Sequence, residues 1–221
     1  KIRFTVHSDT HVGASPNNNY RDKIPEAFSA IYAMAPDVDA HFFVGDSADT
    51  GHPDQYVELA QLLNANARKP VGIVMGNHEF NYAPQIQWNY YNLLTSTDKA
   101  VAGQPVDVIC SNVVETETNE SVFSPYKTFT YKFEDGTTFT IGLLGFENMN
   151  NANWDVASHY EGCTFGHTDN AEKSYVYEWE NYYGKEMQEK CDYIIVAMHS
   201  GEGNPDIYNQ ENQGGYFATH T

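Results

Sequence analysis

The sequence predicts an α/β fold, and three features carry that expectation. Short apolar runs alternate along the chain with segments whose apolar residues recur at helical spacing. Several of these runs are followed at once by acidic, imidazole or amide residues, as at VGIVM-GNHEF. In the middle of the chain, two alternating stretches flank an Asp-Gly pair.

Taken in order, IRFTV (2–6), AHFFV (40–44), VGIVM (71–75) and YIIVAM (193–198) read as strands covered on both faces, because short runs without polar breaks suit a buried sheet. Between them, Ile24, Phe28, Ile31 and Tyr32 share one helical face; Tyr56, Leu59, Leu62 and Leu63 share a second, and Val176, Trp179, Tyr183 and Met187 a third. Strand followed by helix is the order of α/β proteins. YKTFTYKFEDGTTFTIGLLGF (126–146) differs, since its alternating strands meet at Asp135-Gly136, a pair suited to a tight hairpin, and an antiparallel insertion is expected there. The segment from Asn148 to Asp169 is long enough to wall a site. With no internal repeat, low-complexity tract or linker rich in Pro, Gly or Ser, residues 1–221 read as a single domain.

Charge limits the partners. Thirty Asp and Glu against twelve Lys and Arg give a formal charge of −18 without a basic cluster, so nucleic-acid polymers and anionic membranes are excluded as partners. The same field slows an anionic substrate unless bound cations reverse it locally, so phosphate chemistry on this chain requires metal. Cys110, Cys163 and Cys191 form no CxxC pair and fit neither a thiolate zinc cluster nor a disulfide framework; Cys110, inside VDVIC, is expected in the core. No apolar run approaches the length of a membrane span, and no signal peptide is present, although KIRFTV begins as abruptly as if a segment had been removed before it.

The strand ends hold the chemistry. Behind IRFTV comes HSDTHVG with Asp9 and His11; behind AHFFV comes GDSADTG with Asp46 and Asp49; behind VGIVM comes GNHEF with Asn77, His78 and Glu79; behind YIIVAM comes HSG with His199. Loops leaving the carboxyl edge of an α/β sheet converge on one crevice, so groups far apart in sequence can meet there. Each also has a plainer reading. A single Asp before a helix is ordinarily an N-cap contributing about 1 kcal/mol, and a single His beside a strand is ordinarily a hydrogen-bonded structural residue. The combination, in this order and each behind its own strand, favours a joint metal site.

SDTH, GDSAD, GNHE and MHSG together resemble the calcineurin-like metallophosphoesterase superfamily, whose signature runs D-x-H, G-D-x-x-D, G-N-H-D/E, H and finally G-H-x-H. The resemblance implies a two-sheet α/β/β/α sandwich and a catalytic domain spanning 1–221. It makes Asp9 and His11 ligands of one metal, Asp46 the carboxylate bridging both, and Asn77 and His199 ligands of the second. His78 would face the phosphate and protonate the leaving oxygen, with Glu79 as the acidic partner orienting its imidazole, and Asp49 would support a ligand from behind. Two divalent ions of the Mn, Fe, Zn or Co type suit such mixed His, Asp and Asn ligation.

GNHEFNY, ICSNVV, WDVASHYEG and CDYIIVAMHSG further resemble the secreted 5′-nucleotidase and 2′,3′-cyclic-nucleotide 2′-phosphodiesterase/3′-nucleotidase group, which implies a small phosphate ester such as a nucleotide as substrate and an extracytoplasmic location. VGDSADTGHPDQY instead resembles the single-domain phosphodiesterases of the superfamily. A further alternative is a non-catalytic relic that keeps the fold and binds a ligand, against which the retention of Asp9, His11, Asp46, Asn77, His78 and His199 argues. No G-H-x-H follows His199; GHTD (166–169) precedes it and ends in Asp. The expectation is therefore a catalytic domain shortened before its closing motif, with reduced metal affinity and weak or absent activity.

Overall fold

The computed structural model describes residues 1–14, 20–80, 106–115, 117, 118, 120–147, 163–165 and 184–199. Four strands, β1 (Phe4–Ser8), β2 (Ala40–Val44), β3 (Val71–Val74) and β4 (Asp107–Ile109), form a parallel sheet in that order. Its connections include α1 (Tyr20–Met34) and α2 (Pro53–Asn66), which bury Ile24 and Phe28, and Tyr56, Leu59 and Leu63, against a core that includes Phe43 and Ile73.

A second sheet holds β6 (Tyr126–Lys132), β7 (Thr138–Glu147) and β9 (Tyr193–His199), with β7 central, antiparallel to β6 and parallel to β9. Two short strands, β5 (Val113–Glu115) and β8 (Cys163–Phe165), pair antiparallel apart from both sheets. Ala40, Phe42, Val74 and Ile109 of the first sheet meet Leu143 and Ala197 of the second. Leu144 and Phe146 turn to the far side, where α3 (Gly184–Lys190) covers them with Met187. The layers are helix, sheet, sheet, helix, as the family resemblance implies.

This layering explains the unbroken apolar runs of the inner strands β2 and β3. Successive side chains of a strand point to opposite faces, so Phe42 faces the partner sheet and Phe43 the helices, and both are buried. Leu143 sits at the centre of the inter-sheet layer with no exposure. Leu143→Ala is expected to cost about 2–5 kcal/mol, read from urea denaturation.

Several expectations change on contact with the structure. YIIVAM does not join the sheet of the other three runs but lies beside β7 in the second. An apolar run says nothing about which sheet supplies its neighbours, and burial on both faces does not hold for this run or for IRFTV: Tyr193, Val196 and Met198 of β9 are exposed, as are Phe4 and Val6 of the edge strand β1. The 126–146 segment is accordingly no insertion; it forms two of the three strands of that sheet. Its turn is also looser than a two-residue hairpin: Phe133 pairs with Thr137, Gly136 N–H donates to Phe133 O at 3.0 Å, and Gly136 takes φ 86° as the left-handed third residue of the loop.

The capping reading of the aspartates gives way for α2, whose N-cap is His52. Its ring accepts the Asp54 N–H at 3.4 Å, Gln55 reaches back to the His52 N–H at 3.3 Å, and Pro53 opens the helix. Cys110 is fully buried, as expected. The helical face of Val176, Trp179 and Tyr183, most of 148–169, and Asp169 lie outside the described residues; Met187 alone of that face is seen, on α3.

His41 of β2 is buried under α1. Its Nδ1 lies 2.7 Å from Thr5 Oγ1 and its Nε2 2.8 Å from the Tyr32 hydroxyl, which accepts the Arg68 N–H at 2.6 Å. Burial, reinforced by His7 and Lys69, lowers its pKa from 6.5 to about 4. Between those values the unfolded chain binds the proton and the folded one does not, so this contribution to stability is complete above pH 6.5 and is lost as pH falls towards 4. The loss amounts to about 3 kcal/mol for this group. Urea denaturation at pH 7.5 and 4.5 should show it as a difference between proteins, the unsubstituted chain losing more on acidification than His41→Gln, because Glu79, raised to about 7, contributes with the opposite sign in both.

Candidate metal centre

Beyond the carboxyl edge of the first sheet, the loops after β1 and β2 continue to pair. Asp9 N–H donates to Gly45 O at 3.3 Å, His11 N–H to Asp46 O at 3.0 Å, Val12 N–H to Ser47 O at 2.9 Å and Asp49 N–H to Val12 O at 3.0 Å. The loop after β2 is tied to β3 by the Gly45 N–H, which donates to Val74 O at 2.9 Å. Asp9, His11 and Asp46 adopt φ of 52°, 44° and 49°, the only non-glycine residues among those described with positive φ. Such backbone costs on the order of 1–3 kcal/mol per residue and persists where the surroundings over-determine it, commonly at functional sites.

Two glycines admit the close approach. A Cβ on Gly76 would stand 2.4 Å from Asp46 N, and one on Gly45, itself at φ 72°, would stand 2.0 Å from His199 Nδ1. The loop after β2 thus abuts both the turn after β3 and the end of β9, and the two sheets contribute side chains to one place.

That place centres on Asp46. Its Oδ2 lies 3.2 Å from His199 Nε2 and 3.9 Å from His78 Nε2, and its Oδ1 accepts the His78 N–H at 3.0 Å. The His11 ring stands edge-on to that of His78 with centroids 5.3 Å apart. His11 Nε2 is 3.9 Å from Asp9 Oδ1, and its Nδ1 is 3.2 Å from Asp49 Oδ1. That second approach is close but misaligned, so the buried Nδ1 makes no hydrogen bond. Asp9, His11 and Asp46 each offer a ligand atom, all within 4.8 Å of one another.

The donor set fits divalent cations. It is all oxygen and imidazole nitrogen, it includes a buried nitrogen without a hydrogen bond, and among the described residues no Lys or Arg pairs with Asp9, Asp46 or Asp49. Burial alone would raise the Asp46 carboxyl, but the hydrogen bond and charge of His199 and the His78 N–H hold it below the usual range. Conversely, burial alone would lower His199, while Asp46 raises it.

The structure therefore gathers Asp9, His11, Asp46, His78 and His199, and places Asp49 behind His11. Asn77 opens a short 3-10 turn, Asn77–Phe80, directly after the β3 loop; its side chain lies outside the described part. Glu79 has both carboxylate oxygens on backbone N–H groups. Oε2 accepts from Asp46 at 3.0 Å and Gly76 at 2.6 Å, and Oε1 from Ser47 at 2.8 Å and Ala48 at 3.1 Å. Burial and the neighbouring Asp46 raise its carboxyl to about 7, against the pull of the Gly76 and Ala48 N–H groups. This set of bonds has no signal in the sequence, because its partners are main-chain groups that no letter encodes.

A helix-sheet-sheet-helix sandwich with carboxylates and imidazoles collected at its strand ends defines a fold built to present divalent cations. The profile of the calcineurin-like phosphoesterase family matches residues 2–220, and the chain belongs to that family. It is 27% identical over 240 residues to a 2′,3′-cyclic-nucleotide 2′-phosphodiesterase/3′-nucleotidase of Salmonella typhimurium, covering 99% of this chain and 34% of that protein. To the protein of the same description from Yersinia enterocolitica it is 25% identical over 222 residues, covering 90% of this chain and 31% of that one. The chain thus spans about a third of the length of these curated relatives. Among solved structures, the calcineurin-like phosphoesterase YfkN of Bacillus subtilis superposes with a TM-score of 0.62 at 18% identity, covering 97% of this chain and 64% of that one, a likeness of fold. Among the described residues no helix is long and apolar enough to cross a membrane.

Proposed function

We propose that residues 1–221 belong to the catalytic domain of a hydrolase of small phosphate esters, nucleotides and cyclic nucleotides among them, working at a centre of two divalent metal ions. The observation that carries the reading is the position of Asp46, whose carboxylate lies 3.2 Å from His199 Nε2 and within 4.8 Å of ligand atoms of both Asp9 and His11. Membership of the phosphoesterase family and the two nucleotidase relatives support the substrate class.

Asp9 and His11 would hold one ion, Asn77 and His199 the other, and Asp46 would be shared. Divalent ions bound there supply an activated water and spread the charge that develops on phosphoryl oxygens. The remaining work falls to the chain. Asp49 stands behind the His11 ring, its Oδ1 3.2 Å from Nδ1, and would limit the directions in which that ring can turn. His78, whose side chain is about a third exposed, remains accessible to a bound ester and would donate a proton to the departing oxygen. The His78 main chain is anchored on Asp46 Oδ1, so the general acid and the shared ligand are set by one loop contact.

The test is hydrolysis of 2′,3′-cyclic AMP, 3′-AMP and 5′-AMP with added manganese, on this chain and on the longest natural form that contains it. Turnover of at least one of them that EDTA abolishes is expected, with His78→Ala reducing kcat by about 100-fold or more. No hydrolysis of any of the three at saturating metal would contradict the proposal and favour a binding role for the fold.

A further inference from the structure

We propose that Glu79 is a positioning residue: its carboxylate holds the Gly45–Ala48 loop in the one backbone shape that aims Asp46 at His199 and the His11 side of the cluster. Its consequence for metal binding rests on the reading of Asp46 as a metal ligand; the clamp itself does not.

Glu79 has no exposure, and a buried carboxylate needs its lone pairs satisfied. Four N–H groups do so, and three of them, from Asp46, Ser47 and Ala48, are consecutive. Consecutive N–H groups that converge on one anion form a nest, a concavity that a left-handed residue beside a right-handed one creates. Asp46 supplies the left-handed step at φ 49°. Glu79 thus occupies an anion nest built from the loop that carries Asp46, and the fourth donor, Gly76, ties that nest to the turn after β3. Without an anion in the nest, the donors repel one another and the left-handed Asp46 loses what sustains it.

The geometry also distinguishes close substitutes. A glutamine in place of Glu79 would keep the shape but offer one acceptor oxygen and one amide group, whose N–H atoms would point at two of the four donors. An aspartate is one methylene shorter and cannot span both ends of the nest. Glu79→Gln and Glu79→Asp should therefore resemble each other in effect although one keeps size and the other keeps charge.

The experiment has two arms on the full chain. Amide hydrogen exchange, followed by NMR in the unsubstituted protein without metal, should show the Asp46, Ser47 and Ala48 amides protected as strongly as those of Ile73 and Val74 in β3. In Glu79→Gln they should exchange at least about tenfold faster, while Ile73 and Val74 hold. Manganese binding by calorimetry should weaken about 10–100-fold in Glu79→Gln and Glu79→Asp, the range for groups that orient ligands. Loop amides that exchange freely in the unsubstituted protein overturn the proposal even if the variants fail to fold, as does a folded Glu79→Gln with native loop protection. If the unsubstituted chain binds no manganese, the metal-centre reading fails while the exchange arm still decides the clamp.

Discussion

Asp46→Asn is expected to abolish metal-dependent hydrolysis, with kcat/KM falling by at least about a thousandfold, or about 4 kcal/mol of transition-state stabilisation. The substitution keeps the shape of the side chain and removes the charge on which the cluster converges, leaving an amide facing His199 Nε2 at the 3.2 Å now spanned by Oδ2. Groups standing behind ligands already alter metal affinity by about 10–100-fold, so a shared ligand should alter it by more. Affinity also has a readout independent of turnover. A chain that binds metal only when folded gains about 2.7 kcal/mol at a metal concentration one hundred times its dissociation constant. The native chain should show that gain in urea denaturation with and without manganese, and Asp46→Asn should show almost none at the same concentration.

Gly76→Ala is expected to damage stability and site together. The added methyl carbon would lie 2.4 Å from Asp46 N, 2.5 Å from Asp46 Oδ1 and 2.8 Å from Gly45 Cα. Two of these atoms are backbone and cannot swing aside as the end of a long side chain would, so the loop after β2 must move away from β3. Overpacking of this kind costs about 1–3 kcal/mol, and the movement displaces Asp46 from its partners. Gly136→Ala is the control. Unlike Gly76, that glycine is left-handed, at φ 86°, but a methyl there meets nothing within 4 Å. It should lose about 1–2 kcal/mol from the backbone alone and leave manganese affinity unchanged. Equal losses of affinity in both variants would mean that general destabilisation, not the approach of Gly76 to Asp46, governs the site.

Much of this was legible in the sequence because burial writes itself as apolar runs. AHFFV is β2 to the residue, and the faces led by Ile24 and Tyr56 are the buried faces of α1 and α2. The run at 2–6 begins two residues early, since Arg3 already turns to Asp39, its N–H donating to Oδ2 at 2.8 Å, before β1 starts at Phe4. The three-residue strands β4, β5 and β8 were illegible as strands, being shorter than the periods that reveal one.

The gathering of Asp9, His11, Asp46, His78 and His199 was legible from their places behind strands, although the fourth strand belongs to the other sheet. It works because β9 runs parallel to β7 and the sheets pack with His199 beside Gly45, a relation between layers that no local pattern carries. His52 as a cap was hidden because histidine is not among the usual capping residues. The Glu79 clamp was hidden for a different reason: an acidic letter after Asn-His announces a carboxylate, but its partners are peptide groups, and only the left-handed turn at Asp46 brings them together.

The most direct measurement is a crystal structure of the protein soaked in zinc, with data collected on both sides of the zinc absorption edge. Anomalous peaks are expected at the Asp46 carboxylate, about 2.0–2.2 Å from its oxygen and from ligand atoms of Asp9, His11 or His199. Peaks only at surface carboxylates remote from Asp46, or none at all, would contradict a metal centre at Asp46.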